Sequence, residues 1–230
     1  MKTDRGNRPV ISVVTVVWNN LGGLELTCES LQAQTYHAIE HIVVDGSSTD
    51  GTVRWLETYS PPFGLHVLSE RDEGLYDAMN KGLALASGDL LLFLNGGDTL
   101  TEPDVLERVA ADWIARGWAW AYGRINYVND ERAVLSTFAA DHFNGRRVEL
   151  ARTFVPHPAT FVGREVRGDL RFDLQSGLSA DQEFLLRIAR ESEPATLRLT
   201  ITNFLIGGAY FLPPIIDEDE LANNRLLAIS

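Results

Sequence analysis

The first half of the chain alternates short apolar runs with stretches in which apolar residues recur every three or four positions. The runs at 11–18, 41–45, 65–69 and 90–94 are strands by composition and length. Between them, 24–34, 52–59 and 75–87 carry helical spacing, and Gly88 supplies a helix stop after the last. A βαβαβαβ order predicts a mostly parallel sheet covered by helices on both faces.

The second half is less regular. The pattern predicts a helix over 104–116, strands in WAWAYGRINYV and AVLSTF, a helix over 180–191 and a strand through TLRLTIT. No repeat, low-complexity tract or linker separates the halves, so residues 1–230 read as one domain: about 9–102 a nucleotide-binding half, about 103–230 an acceptor and catalytic half. The tail DEDELANNRLLAIS has helical character and reads as a terminal helix or a partner-binding segment.

Composition narrows the function classes. With 230 residues, 45% hydrophobic, the chain can bury one sizeable core. A formal charge of −12 argues against nucleic acid as a partner, because phosphate backbones are held by clustered Lys and Arg. The single cysteine, Cys28, cannot form an internal disulfide, suits a reducing compartment and reads as a small buried apolar residue. The N-terminal apolar run reads as a first strand and not as a signal peptide, and two glycines and two prolines interrupt the run at 204–216, so no membrane span is expected.

In an open parallel sheet, ligands bind beyond the carboxyl ends of the strands. Those ends are polar here: Trp18-Asn19-Asn20, Asp45-Gly46-Ser47-Ser48, Glu70-Arg71-Asp72 and Asn95-Gly96-Gly97-Asp98. Each alone is as well explained by a turn or a helix cap. Four ends converging would crowd carboxylates along one edge, and that arrangement asks for a cation. Neither a dinucleotide fingerprint nor a GxxxxGK[ST] loop is present, so bound phosphate would need a divalent ion, held by Asp98 and the phosphates themselves. Ser179 and Gln182 have capping-box spacing, with Asp181 in the first turn. Asp181 precedes Phe184, Leu185 and Ile188 along one helical stripe, so it either complements the helix dipole or serves as a general base at the floor of a cleft. Glu183 pairs with Arg187 at i, i+4 as support. Asp77 and Lys81 share that spacing, as a surface pair or as pocket lining. His157, between two prolines, is a shaped loop residue or a substrate contact, and no second His or Cys makes it a metal site.

With these residues assembled, the chain resembles family 2 glycosyltransferases of the GT-A fold, particularly small bacterial enzymes of exopolysaccharide and O-antigen synthesis. PVISVVTVVWNN resembles the family's opening strand and nucleoside loop, SLQAQTYHAIEHIVVDGSSTDGT its second strand and acidic turn, and SERDEGLYDAMNKGLALASGDLLLFLNGGDTL the stretch ending in its metal motif. PHPATF, SADQEFLLRI and GGAY are shorter matches in the same order. The resemblance implies an α/β/α sandwich and an inverting transfer from a UDP-, GDP- or dTDP-sugar to a hydroxyl of a glycan or lipid-linked glycan. It implies Thr15, Trp18 and Asn19 near the base or ribose and Asp45 on the base. Ser47, Asp77, Lys81, Asn95 and Gly97 are further nucleotide-sugar contacts, Asp98 is the ligand of Mn2+ or Mg2+, and Asp181 is the catalytic base. FLIGGAYF is similar to the flexible region at the family's active-site opening, with Gly207 and Gly208 as hinges. The implied location is cytoplasmic, at the inner membrane surface if the acceptor is lipid-linked. The chain departs from the family pattern in three places: Asn95 and Gly97 stand where acids are common, Met79 where many relatives carry Arg, and Ala180 where an acid usually precedes the base. Two other readings stay open: a sugar-1-phosphate nucleotidyltransferase, against which NNLGGLE carries no basic residue, and a non-catalytic GT-A-like binding module.

Overall fold

A computed structural model describes residues 8–139, 142–149 and 154–206. The tail and the Gly207-Gly208 pair, read above as a helix and a hinge, lie outside the described residues. The alternating half folds as β1 (Ile11–Val17), α1 (Leu21–Gln32), β2 (Ile39–Asp45), α2 (Thr52–Leu56), β3 (Gly64–Ser69), α3 (Leu75–Leu85) and β4 (Leu90–Phe93). There follow β5 (Thr99–Leu100), α4 (Val105–Arg116), β6 (Trp120–Val128), β7 (Val134–Phe138), α5 (Gly145–Glu149), β8 (Thr160–Gly163), α6 (Arg164–Arg167), α7 (Ala180–Glu191) and β9 (Ala195–Leu205).

One sheet runs through both halves in the order β3-β2-β1-β4-β8-β6-β9-β5, with β7 paired to β6. Strands β3, β2, β1 and β4 are parallel neighbours. Beyond β4 the sheet becomes mixed: β8 is antiparallel to β4 and β6, β9 is parallel to β6, and β5 is antiparallel to β9. The central strands are mainly apolar because both their faces are covered, with Ser12, Thr15 and His41 as buried polar exceptions. Ile11 and Val13 of β1, with Leu90 and Leu92 of β4, pack towards α4 and the end of α1. Val14, Val16, Leu91 and Phe93 point the other way, towards α3 and α7. The result is three layers, helices on sheet on helices.

Glycine sets one interlayer distance. A Cβ on Gly82 of α3 would come within 2.4 Å of Val14 Cγ1, so α3 lies as close to β1 as a bare backbone allows. The capping box expected at Ser179 and Gln182 does not form. Ser179 makes no side-chain cap bond, and the Gln182 amide instead bonds the Val155 backbone in both directions, at 2.8 and 3.0 Å. A tertiary partner offering two backbone bonds outcompetes a local cap offering one. Among the described residues no helix is long and apolar enough to cross a membrane.

Candidate active site

At the carboxyl end of β1 and β4 the sheet opens into a cleft of about 350 Å³. Trp18 and Asn20 line it after β1, Asp72 and Tyr76 around the start of α3, Asn95, Gly96 and Asp98 after β4, and His157 before β8. Asp181 reaches it from the first turn of α7, and Phe204 and Leu205 close it from the end of β9.

The turn 95–98 is fixed from below. Thr27 of α1, fully buried, accepts the Gly97 N–H (3.0 Å) and places its hydroxyl 2.8 Å from the Asp98 carbonyl. Gly97 has φ +113°, a conformation that a side chain would strain. Asp98 follows, with its residue only 5% exposed and one carboxylate oxygen accepting the Leu205 N–H at 3.2 Å. Burial pushes its carboxyl up to about 7, against the Leu205 N–H and the nearby Arg132 charge, which pull it down. A carboxylate held there against desolvation gains from any cation that enters.

Asp181 is tied on both oxygens: the Tyr76 hydroxyl donates to Oδ1 (3.3 Å) and Gln182 Nε2 to Oδ2 (3.0 Å). Burial, reinforced by the Asp181 charge, pushes the Tyr76 phenol up, so it stays a donor. His157 stacks on Phe93 at a ring separation of 5.0 Å and meets Phe172 edge-on at 5.7 Å. Burial lowers its pKa while Asp181 opposes the shift, so the ring sits beside the carboxylate mainly neutral. Asn80 bonds the Phe172 backbone both ways, at 2.8 and 3.0 Å, and so clips this aromatic wall to α3.

Trp18 is 68% exposed at the rim of the cleft. The other positions named from sequence sit differently. Thr15 is fully buried and shares a hydrogen bond with His41 Nε2 (3.0 Å), inside the sheet and away from the cleft. Asp45 is fully buried too, its carboxylate accepting the Ser48 N–H (3.1 Å) and the Ser69 hydroxyl (2.7 Å). It therefore orders the turn carrying Ser47, which stands exposed at φ +61°. Asn19 latches that turn to β1 by accepting the Thr49 N–H at 2.8 Å. Asp77 and Lys81 form their ion pair (3.3 Å), and Lys81 also pairs with Glu70 (3.0 Å), outside the cleft wall. Glu183 and Arg187 pair at 2.8 Å.

The sequence pattern singled out neither Tyr76 nor Arg132, and took Asn20 only as one of the polar residues ending β1. Asn20 had a legible signal: its side chain caps α1 by accepting the Gly23 N–H at 3.1 Å. Tyr76 and Arg132 had none, because their partners lie 105 and 35 residues away.

Among the described residues no group of three or more His, Cys, Asp or Glu forms a metal cage. The cleft nevertheless holds Asp98 and the buried Asn95 side-chain oxygen, which lacks a hydrogen-bond partner. Two oxygens of this kind fit a hard cation that completes its shell with phosphates and water.

A family model described as glycosyl transferase family 2 matches residues 12–164. The chain belongs to that family. This glycosyltransferase is 38% identical, over 203 residues, to an uncharacterized glycosyltransferase of Mycobacterium tuberculosis (strain ATCC 25618 / H37Rv), covering 85% of this chain and 75% of that one. A PGL/p-HBAD biosynthesis glycosyltransferase of Mycobacterium bovis (strain BCG / Pasteur 1173P2) is 40% identical over 105 residues, 45% of this chain and 41% of that one. Among solved structures, S. aureus TarS 1-349 in complex with UDP-GlcNAc superposes with a TM-score of 0.73 at 20% identity, covering 95% of this chain and 65% of that one. The mannosyltransferase PcManGT from Pyrobaculum calidifontis, in complex with GDP-Man and Mn2+, gives 0.63 at 21% identity, covering 88% and 59%. The family 2 chain thus has the GT-A fold and spans less than two thirds of either solved relative. Neither the nucleotidyltransferase nor the non-catalytic reading finds support in these likenesses.

Proposed function

We propose that this glycosyltransferase moves a sugar from a nucleoside diphospho-sugar to a hydroxyl of a glycan or lipid-linked glycan, inverting the anomeric carbon in one displacement. The observation that carries the reading is that two carboxylates from opposite halves of the chain, Asp98 and Asp181, line one cleft with an exposed tryptophan at its rim. Solved relatives hold UDP-GlcNAc and GDP-Man, which favours a nucleotide donor here.

In this reading Trp18 offers a stacking surface to the base, and the turn ordered by Asp45 and Asn19 walls the nucleoside. Asp98 and Asn95 turn their oxygens to the diphosphate end. A divalent ion bound there, Mn2+ or Mg2+, would stabilise the departing diphosphate. Asp181 accepts the proton of the acceptor hydroxyl as that oxygen attacks the anomeric carbon, and the bond to the diphosphate oxygen breaks on the opposite face. Tyr76 and Gln182 hold the base in place; Phe172, Phe93 and His157 keep water from its flank. A lipid-linked acceptor would place the enzyme at the cytoplasmic membrane face.

Nucleoside diphosphate release from a panel of UDP-, GDP- and dTDP-sugars, with and without Mn2+, tests this. Turnover with one donor, falling at least about 100-fold in Asp98→Ala, agrees with the reading. Release that is undetectable across the panel with candidate acceptors, together with absent nucleotide binding, overturns it.

A further inference from the structure

The cleft wall carries Asp72, Asp98 and Asp181 and, among the described residues that line it, no Lys or Arg. A diphosphate would enter against three carboxylates, and the position where family members often carry Arg is Met79, buried in the core. Lys81, the nearest cation by sequence, is held by Glu70, Asp77 and the Arg71 carbonyl. Arg132 does not line that wall either, but it sits against the 95–98 turn that forms part of it. Between β6 and β7 the chain turns at 129–133, with Arg132 N–H donating to the Asn129 carbonyl (2.9 Å) and Arg132 itself at φ +63°. A non-glycine residue in that conformation is uncommon and is held here by the turn. From it the half-buried Arg132 side chain reaches across to the turn 95–98 and donates Nη1–H to the Gly97 carbonyl at 2.6 Å. Its charge acts on Asp98, one residue on.

We infer that Arg132 is a diphosphate-binding residue, supplying from the β6–β7 turn the fixed positive charge that the strand ends lack. The inference rests on the nucleotide-donor reading above. One guanidinium N–H fixes the group to Gly97, and the planar fork has further donors suited to phosphate oxygens. Arg132 thereby also gives the site a cation of its own, so diphosphate affinity persists in part when divalent metal is removed.

The test is calorimetric titration of wild type, Arg132→Met and Arg132→Lys with the preferred nucleoside diphosphate and with the matching nucleoside, in EDTA and in Mn2+. Arg132→Met is expected to lose on the order of 10- to 100-fold in diphosphate affinity in EDTA, with nucleoside affinity unchanged and a smaller loss in Mn2+. Arg132→Lys restores part of it. The unchanged nucleoside affinity reports an intact fold, and the lysine variant gives a second reading should the methionine variant unfold. Equal diphosphate affinity in wild type and variants, or parallel loss of nucleoside and diphosphate, overturns the inference while leaving the donor reading standing. A wild type that binds no nucleotide with or without Mn2+ overturns both.

Discussion

His41 lies at the centre of β2, completely buried, with Thr15 as its hydrogen-bond partner. Burial drives its pKa from 6.5 to about 3. Below about pH 6.5 the unfolded chain therefore binds a proton that the folded chain refuses, and stability falls as pH drops from there toward about 3. The contribution is intact above that window. His41→Gln removes the titration, so its unfolding free energy should decline less than that of the wild type between about pH 7 and about pH 5, by about 2 kcal/mol; equal slopes in urea unfolding would show that His41 titrates normally. Nothing in the sequence marked this histidine and Thr15 as a buried hydrogen-bonded pair, because the pairing depends on strand register. Asp98 and Asp181, by contrast, were legible: one follows an apolar run at a strand end, the other shares a helical stripe with buried Phe184, Leu185 and Ile188. Asp45 read as a ligand contact, and the structure makes it the organiser of its own turn. A carboxylate at a strand end satisfies either role, and its bond from the Ser69 hydroxyl, 24 residues on, is not legible locally.

At the scale of elements, the parallel half was readable because β1, β2 and β4 are buried on both faces and α1 and α3 are long enough to show their period. In the mixed half α4, β6, β7, α7 and β9 were readable too, and the short strands were not. Strands β5 and β8 are two and four residues long, shorter than any pattern that distinguishes strand from loop, and the reversal at β8 follows from pairing that local sequence does not encode. Helix α3 is the element on which the cleft most depends, since it carries Tyr76, Met79 and the Asn80 clip. Gly82→Ala sets two effects against each other: alanine gains about 1 kcal/mol of helix propensity, while a Cβ 2.4 Å from Val14 Cγ1 must push α3 off the sheet, and overpacking costs about 1–3 kcal/mol. The clash wins because Val14 is fully buried and cannot retreat. The variant should unfold at lower urea and lose turnover as Tyr76 shifts; a gain in stability would show that the helix has room to move.

For the whole molecule, a chain of formal charge −12 needs, on the proposed nucleotide-donor reading, positive charge concentrated where the diphosphate would sit. In the proposal Arg132 and a divalent ion at Asp98 divide that work. The two halves meet in one sheet, and Asp98, beyond the end of β4, and Asp181, on α7, line the same cleft. In the proposed mechanism Asp181 removes the acceptor proton and contributes little to donor binding. The most direct test is Asp181→Asn, a nearly isosteric change, with sugar transfer and nucleoside diphosphate affinity measured on the same preparation. The account predicts turnover reduced by roughly 100- to 10,000-fold with affinity within about threefold of wild type. Transfer that survives the substitution, or affinity that falls in step with turnover, would contradict it.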